Sequence, residues 1–125
     1  MKEKLLRIVN YYGIRKQIKY FMTEVYELIE AVVEMEEAKK DPLSCVIRTV
    51  NMAFNPNYKD WRKNHISEEI GDCYVMIEQV RQYYGITNEE LKEIIKSKID
   101  RQILRIEKEE AEQKLKDFEN KKEVD

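Results

Sequence analysis

Two pairs of acids are spaced for joint work. Glu24 and Glu27 lie in TEVYELIEA (23–31), and Glu69 and Asp72 lie in HISEEIGDCY (65–74). An acid at i and another at i+3 stand about one turn apart on one face of a helix. Two such helices side by side would gather four carboxylates. Clustered negative charges repel, and each is costly to remove from water without a partner. A hard divalent cation relieves both problems, and an all-oxygen donor set suits Mg²⁺, Mn²⁺ or Ca²⁺. The chemistry to expect is that of metal-bound phosphates.

The elements that must position these acids are legible from periodicity. Residues 2–12 read as a short amphipathic helix with Leu5, Leu6, Ile8 and Val9 apolar, ended by Gly13. Residues 14–40 read as a long helix. Its apolar stripe is Ile14, Ile18, Phe21, Val25, Leu28, Ile29 and Val32. At roughly 100° per residue, Glu24 falls on one flank of that stripe beside Gln17, with Glu27 and Tyr20 further round. That placement suits a site at the margin of a bundle core or between subunits. Asp41-Pro42 signals a restart, with Asp as N-cap and Pro in the first turn, so 42–54 is expected to be a third, rather apolar helix.

Asn55-Pro56-Asn57 breaks that helix, and 58–64 (YKDWRKN) reads as a polar and aromatic connector. It carries Trp61, which suits either a partly buried anchor or a stacking surface for a base. Residues 65–84 form the next long helix, with Ile66, Ile70, Cys73, Ile77, Val80 and Tyr84 as its stripe and Glu69 and Asp72 to one side. Gly71 inside it should cost about 1 kcal/mol relative to Ala, which suggests close approach of a backbone or ligand. Gly85 closes the helix, and Thr87-Asn88-Glu89-Glu90 is a capping box for the next. The last helix should run from near Asn88 to about residue 118. Leu91, Ile95, Ile99 and Ile106 form its inner face, and Lys98, Arg101 and Arg105 form a basic flank. Residues 107–125 are highly charged and thinly apolar, a projecting helix end or a frayed tail.

The totals narrow the class. The chain has 125 residues, which is one domain by default and enough for a core without staples. Gly and Pro are scarce (3 and 2), against a fold built on tight β-turns. Lys and Arg total 23 against 25 acids, so net charge offers nothing toward nucleic acid. Cys45 and Cys73 have no zinc or CxxC spacing and read as free thiols of a reducing cytoplasm. The N-terminal MKEKLLRIVNYYG does not read as a signal peptide, and no stretch reads as a membrane span. His65 is the single histidine and reads as a surface or helix-start residue. It leaves no nucleophilic triad and no pair of Glu-x-x-His motifs for a di-iron bundle.

With TEVYELIEA, SEEIGDCYVMIEQV and YGITNEELKEIIKSKIDRQILRI on the page, the chain resembles the MazG-like family. That family belongs to the all-α nucleoside triphosphate pyrophosphohydrolases, which include the dimeric dUTPases. The resemblance covers roughly residues 14–106. Its pattern is ExxE on one helix, ExxD on the next and basic residues on the one after, matched here by Glu24/Glu27, Glu69/Asp72 and Lys98/Arg101. The stretch between the acid pairs is longer than in compact members.

The resemblance implies hydrolysis of a nucleoside triphosphate between the α and β phosphates. Mg²⁺, or Mn²⁺ in its place, would be held by Glu24, Glu27, Glu69 and Asp72. Glu27 would also orient the water, and Lys98 and Arg101 would neutralise the outgoing pyrophosphate. Gln17 and Trp61 are candidate nucleoside contacts. It also implies a homo-oligomer, dimer or tetramer, with helices of two subunits completing the site. The expectation is therefore one all-α helical bundle over 1–125, a cytoplasmic metal-dependent pyrophosphohydrolase with no nucleic-acid or membrane partner. The contrasting expectation is a non-catalytic helical interaction module, its acids solvated and its 42–54 helix making the contacts.

Overall fold

The computed structural model describes residues 1–57 and 60–124. Every regular element among them is an α-helix: α1 (Lys2–Tyr12), α2 (Ile14–Lys40), α3 (Pro42–Phe54), α4 (Trp61–Tyr83) and α5 (Asn88–Val124). The all-α expectation therefore holds. None of these helices is long and apolar enough to cross a membrane.

Local chemistry sets the boundaries. Gly13 joins α1 to α2 at φ +86°, a left-handed conformation that a side chain would strain. Asp41 starts α3 as expected: its Oδ1 accepts the Leu43 N–H at 3.2 Å and its Oδ2 the Ser44 hydroxyl at 2.8 Å. The Ser44 hydroxyl, followed by the backbone N–H groups, holds the Asp41 carboxyl below its ordinary value. Helix α4 corrects the sequence reading, because it begins at Trp61 rather than at residue 65. The reason is Asp60, whose Oδ1 accepts the Arg62 N–H at 3.2 Å and caps the helix. Asp60 Oδ2 also meets Arg48 Nη2 at 3.0 Å, tying the middle of α3 to the start of α4. Trp61 is thus the first residue of a helix, not part of a connector. Tyr58 and Lys59, expected in that connector, lie outside the described residues.

Gly85 at φ +68° ends α4, and Thr87 forms the expected capping box with Glu90: the Glu90 N–H donates to Thr87 Oγ1 at 3.1 Å and the Thr87 N–H donates to Glu90 Oε2 at 2.8 Å. Helix α5 continues past residue 118 to Val124, so the charged segment is helical and not frayed. Glu110/Lys114, Glu112/Lys116 and Asp117/Lys121 are spaced i, i+4 in the favourable order along it.

The chain divides into two compact units, Met1–Gly85 and Ile86–Asp125. The second is α5 with its approach, and none of its described residues is buried. In the first, α2 lies along α4, α1 packs against both, and α3 rests on α2. The core is Leu5 and Val9 of α1, Ala31 and Met35 of α2, and Cys73 and Met76 of α4.

The packed faces differ from the expected ones. On α2 the buried residues are Gln17, Glu24, Ala31 and Met35, spaced by seven, seven and four. At about 100° per residue their centre lies roughly 80° from that of the apolar stripe. Glu24 is therefore in the middle of the packed face and not on its flank, and the stripe is left half open, with Ile29 53% exposed. Helix α4 turns the same way: Cys73, Met76 and Gln79 are buried, while Ile70 and Ile77 stay exposed. Gly71 gives no close approach, since a Cβ built there meets nothing within 4 Å.

Candidate metal centre and adjoining pocket

The inward rotation of α2 and α4 brings acids together. One carboxylate oxygen from each of Glu24, Glu69 and Asp72 lies within 4.8 Å of the others. Glu24 is buried, Glu69 half-buried and Asp72 exposed, so the cluster runs from the helix interface out to solvent. Glu27 is not in this triad. It sits one turn along α2, half-buried, and its charge and a hydrogen-bonding contact both act on Glu24. Three of the four expected acids converge, and the fourth stands beside them.

The electrostatics are those of a cluster lacking its counter-charge. Burial, followed by the charges of Glu27 and Asp72, pushes the Glu24 carboxyl up, although its hydrogen bond with Tyr20 pulls the other way. That bond to Glu24, with the negative charges around it, raises the Tyr20 hydroxyl. Burial and then the charges of Glu24, Glu69 and Asp72 raise the Cys73 thiol. Glu24 Oε2 and Glu69 Oε2 are buried and have no hydrogen-bond partner among the described residues. A buried carboxylate oxygen with no donor is the costliest kind of polar atom. Two of them, on acids that converge and offer oxygen donors only, fit a hard divalent cation.

Sequence reasoning missed a partner here. His65, expected to be a surface or helix-start residue, places Nε2 3.3 Å from Glu69 Oε1. The signal was present, because residues 65 and 69 are i, i+4 on one helix.

The acids open into a pocket of about 700 Å³, with Glu24 and Asp72 in its wall. Gln17 of α2 and Gln79 of α4 line it too, as do Tyr12, Tyr20, Val75 and Met76. Gln17 precedes Glu24 by seven residues and Gln79 follows Asp72 by seven, so α2 and α4 run antiparallel with the pocket between them. Seven residues are about 10 Å of helix. The pocket has a carboxylate end and, two turns away, an amide end. Lys16 and Lys19 stand in its wall near the amide end, and Lys16 Nζ lies 5.3 Å from the centre of the Tyr12 ring.

The remaining expected residues are Trp61, Lys98 and Arg101. Trp61 does not line this pocket: it precedes Glu69 by eight residues, on the side of the acids away from Gln79, and Arg62 covers its ring at 4.5 Å. Lys98 and Arg101 are exposed on α5, in the second unit, and have no ion-pair partner among the described residues. Both cysteines are free, Cys45 exposed and Cys73 buried. In comparisons with known proteins, no family model, no curated protein and no solved structure matches the chain.

Proposed function

We propose that this chain is a metal-dependent nucleoside triphosphate pyrophosphohydrolase of the MazG-like kind its acid pattern resembles. The observation that carries the reading is the convergence of Glu24, Glu69 and Asp72, with two buried carboxylate oxygens left without donors. Mg²⁺ fits this oxygen-only set, and Mn²⁺ suits the same donors. When bound, such an ion supplies Lewis-acid activation of phosphate oxygens and of water.

The chain's own residues do the rest. Glu24, Glu69 and Asp72 would hold the cation, and His65 would orient Glu69. Glu27, beside Glu24 but outside the triad, is free to accept a proton from the attacking water. Tyr20 holds Glu24 through its hydroxyl. Lys16 and Lys19, in the pocket wall, draw an anionic ligand toward it. The α–β bond is cleaved by water, leaving a monophosphate and pyrophosphate.

We also propose that the working form is a homo-oligomer. The stripes of α2 and α4 are half open, and α3 exposes Leu43, Val46, Ile47, Val50 and Phe54. Apolar surface of that extent is what a self-association face offers.

The test is direct. Purified protein is titrated calorimetrically with Mg²⁺ and then assayed against common and modified nucleoside triphosphates for pyrophosphate and monophosphate release. Stoichiometric Mg²⁺ binding with both products is the expected result. Absence of Mg²⁺ binding would leave the non-catalytic interaction module as the reading.

A further inference from the structure

We propose that the amide end of the pocket receives the base of the nucleotide, and that Gln79 is the residue that reads it. The inference rests on the metal–phosphate reading of the carboxylate end.

Gln79 is 2% exposed, yet it lines the pocket. Its Nε2 makes one contact, with Met76 Sδ at 3.8 Å, and its Oε1 has no partner among the described residues. A thioether sulfur is a weak acceptor and an amide NH₂ carries two hydrogens, so a donor remains beside the buried, unpartnered Oε1. Leaving such a buried amide unmet is unfavourable. The arrangement calls for a ligand that brings a donor and an acceptor side by side.

That requirement sorts the ligands. Phosphate oxygens are acceptors and cannot satisfy Oε1, so a phosphate alone leaves the Gln79 amide half unmet. An alkyl chain satisfies neither atom. The edge of a nucleobase offers adjacent donor and acceptor groups, and a glutamine amide pairs with such an edge by two hydrogen bonds. The walls agree, because Tyr12, Tyr20, Val75 and Met76 give aromatic and apolar surface for a flat ring. Gln17 on the facing helix supplies a second amide. The separation agrees as well, since two helical turns, about 10 Å, leave room for a sugar between a base and a metal-bound phosphate.

The experiment compares affinities in Mg²⁺ for inorganic tripolyphosphate, ribose triphosphate and the α,β-methylene triphosphates of the common nucleosides. Wild-type protein should bind at least one nucleoside analogue about 10-fold or more tighter than ribose triphosphate, the worth of a base-edge pair. Gln79→Met, which keeps the volume and removes the amide, should reduce that preference to about 2-fold or less while tripolyphosphate affinity stays level. Two results would overturn the inference: equal wild-type affinity for ribose triphosphate and every nucleoside analogue, or a full preference retained in Gln79→Met. The wild-type comparison decides whether the pocket receives a base; should Gln79→Met fail to fold, Gln79→Glu, which exchanges the NH₂ for an acceptor, should change the order of preference among the nucleosides, and an unchanged order would overturn the role of Gln79. Failure of wild-type protein to bind any of the probes, tripolyphosphate included, would instead overturn the metal–phosphate reading beneath it.

Discussion

Glu24 on α2 and Asp72 on α4 approach across an antiparallel helix pair, with carboxylate oxygens within 4.8 Å. The cations of the wall they share are Lys16 and Lys19, and neither forms an ion pair with these acids among the described residues. Each charge-removing isostere should therefore act in opposite directions on function and on stability. Glu24→Gln, Glu69→Gln and Asp72→Asn should each lower Mg²⁺-dependent pyrophosphate release by about 100-fold or more. In EDTA the same variants should melt at or above the wild-type temperature, because a repelling charge is gone. Glu27→Gln should reduce turnover while sparing Mg²⁺ affinity in calorimetry, since Glu27 lies outside the triad. Wild-type turnover in all of these variants would place the chemistry elsewhere.

Glu24 also sets a pH dependence. Its carboxyl is raised from an ordinary 4.5, burial being the main cause. In the window above 4.5 the folded chain holds a proton that the unfolded chain has lost. Stability then falls as pH rises through the folded value and is recovered as pH drops back toward 4.5. Asp41 and Glu78 are lowered by Ser44 and Arg81 respectively, so their contributions are lost only at lower pH. Metal-free protein should therefore melt higher near pH 5 than at neutral pH. Mg²⁺ should flatten that difference, and so should Glu24→Gln. Thermal melts in EDTA and in Mg²⁺ across this range check the sign, and a flat metal-free profile would contradict it.

Gly71 lies within α4, where an added Cβ meets open space. Gly71→Ala should stabilise the protein by about 0.5–1 kcal/mol through helix propensity alone. Urea unfolding at a dilution that fixes the oligomeric state is the measurement. A loss of stability would mean that a second copy packs against this position.

Asp60 acts twice, as the cap of α4 and as the partner of Arg48. Asp60→Ala should cost about 1–2 kcal/mol, the range for losing an N-cap. Asp60→Asn should cost less, because an amide oxygen still caps. Equal losses in the two variants would shift the weight from the cap to the Arg48 pair. Chemical denaturation distinguishes these outcomes.

Most helix boundaries were decided by chemistry within a few residues: Gly13 and Gly85 in left-handed conformations, Asp41 before Pro42, and the Thr87–Glu90 box. All were legible in the chain. The i, i+3 spacing likewise put Glu69 on one face with Asp72 whatever packed against them. Only the tertiary structure decided what those faces meet. Periodicity relates residues on one helix to each other, but it carries no information about which side a second helix will cover. In α2 and α4 the covered side is rotated from the most apolar stripe toward the acids. That rotation buries Glu24, leaves Ile29 and Ile70 open, brings Glu24 to Asp72, and places Gln17 and Gln79 in the wall of one pocket. The start of α4 at Trp61 rests on the Asp60 cap, which is local chemistry, and on the pairing of Asp60 with Arg48, a contact that no local pattern records. The acids were chosen by local sequence; their meeting, and the buried amide two turns away, come from long-range packing.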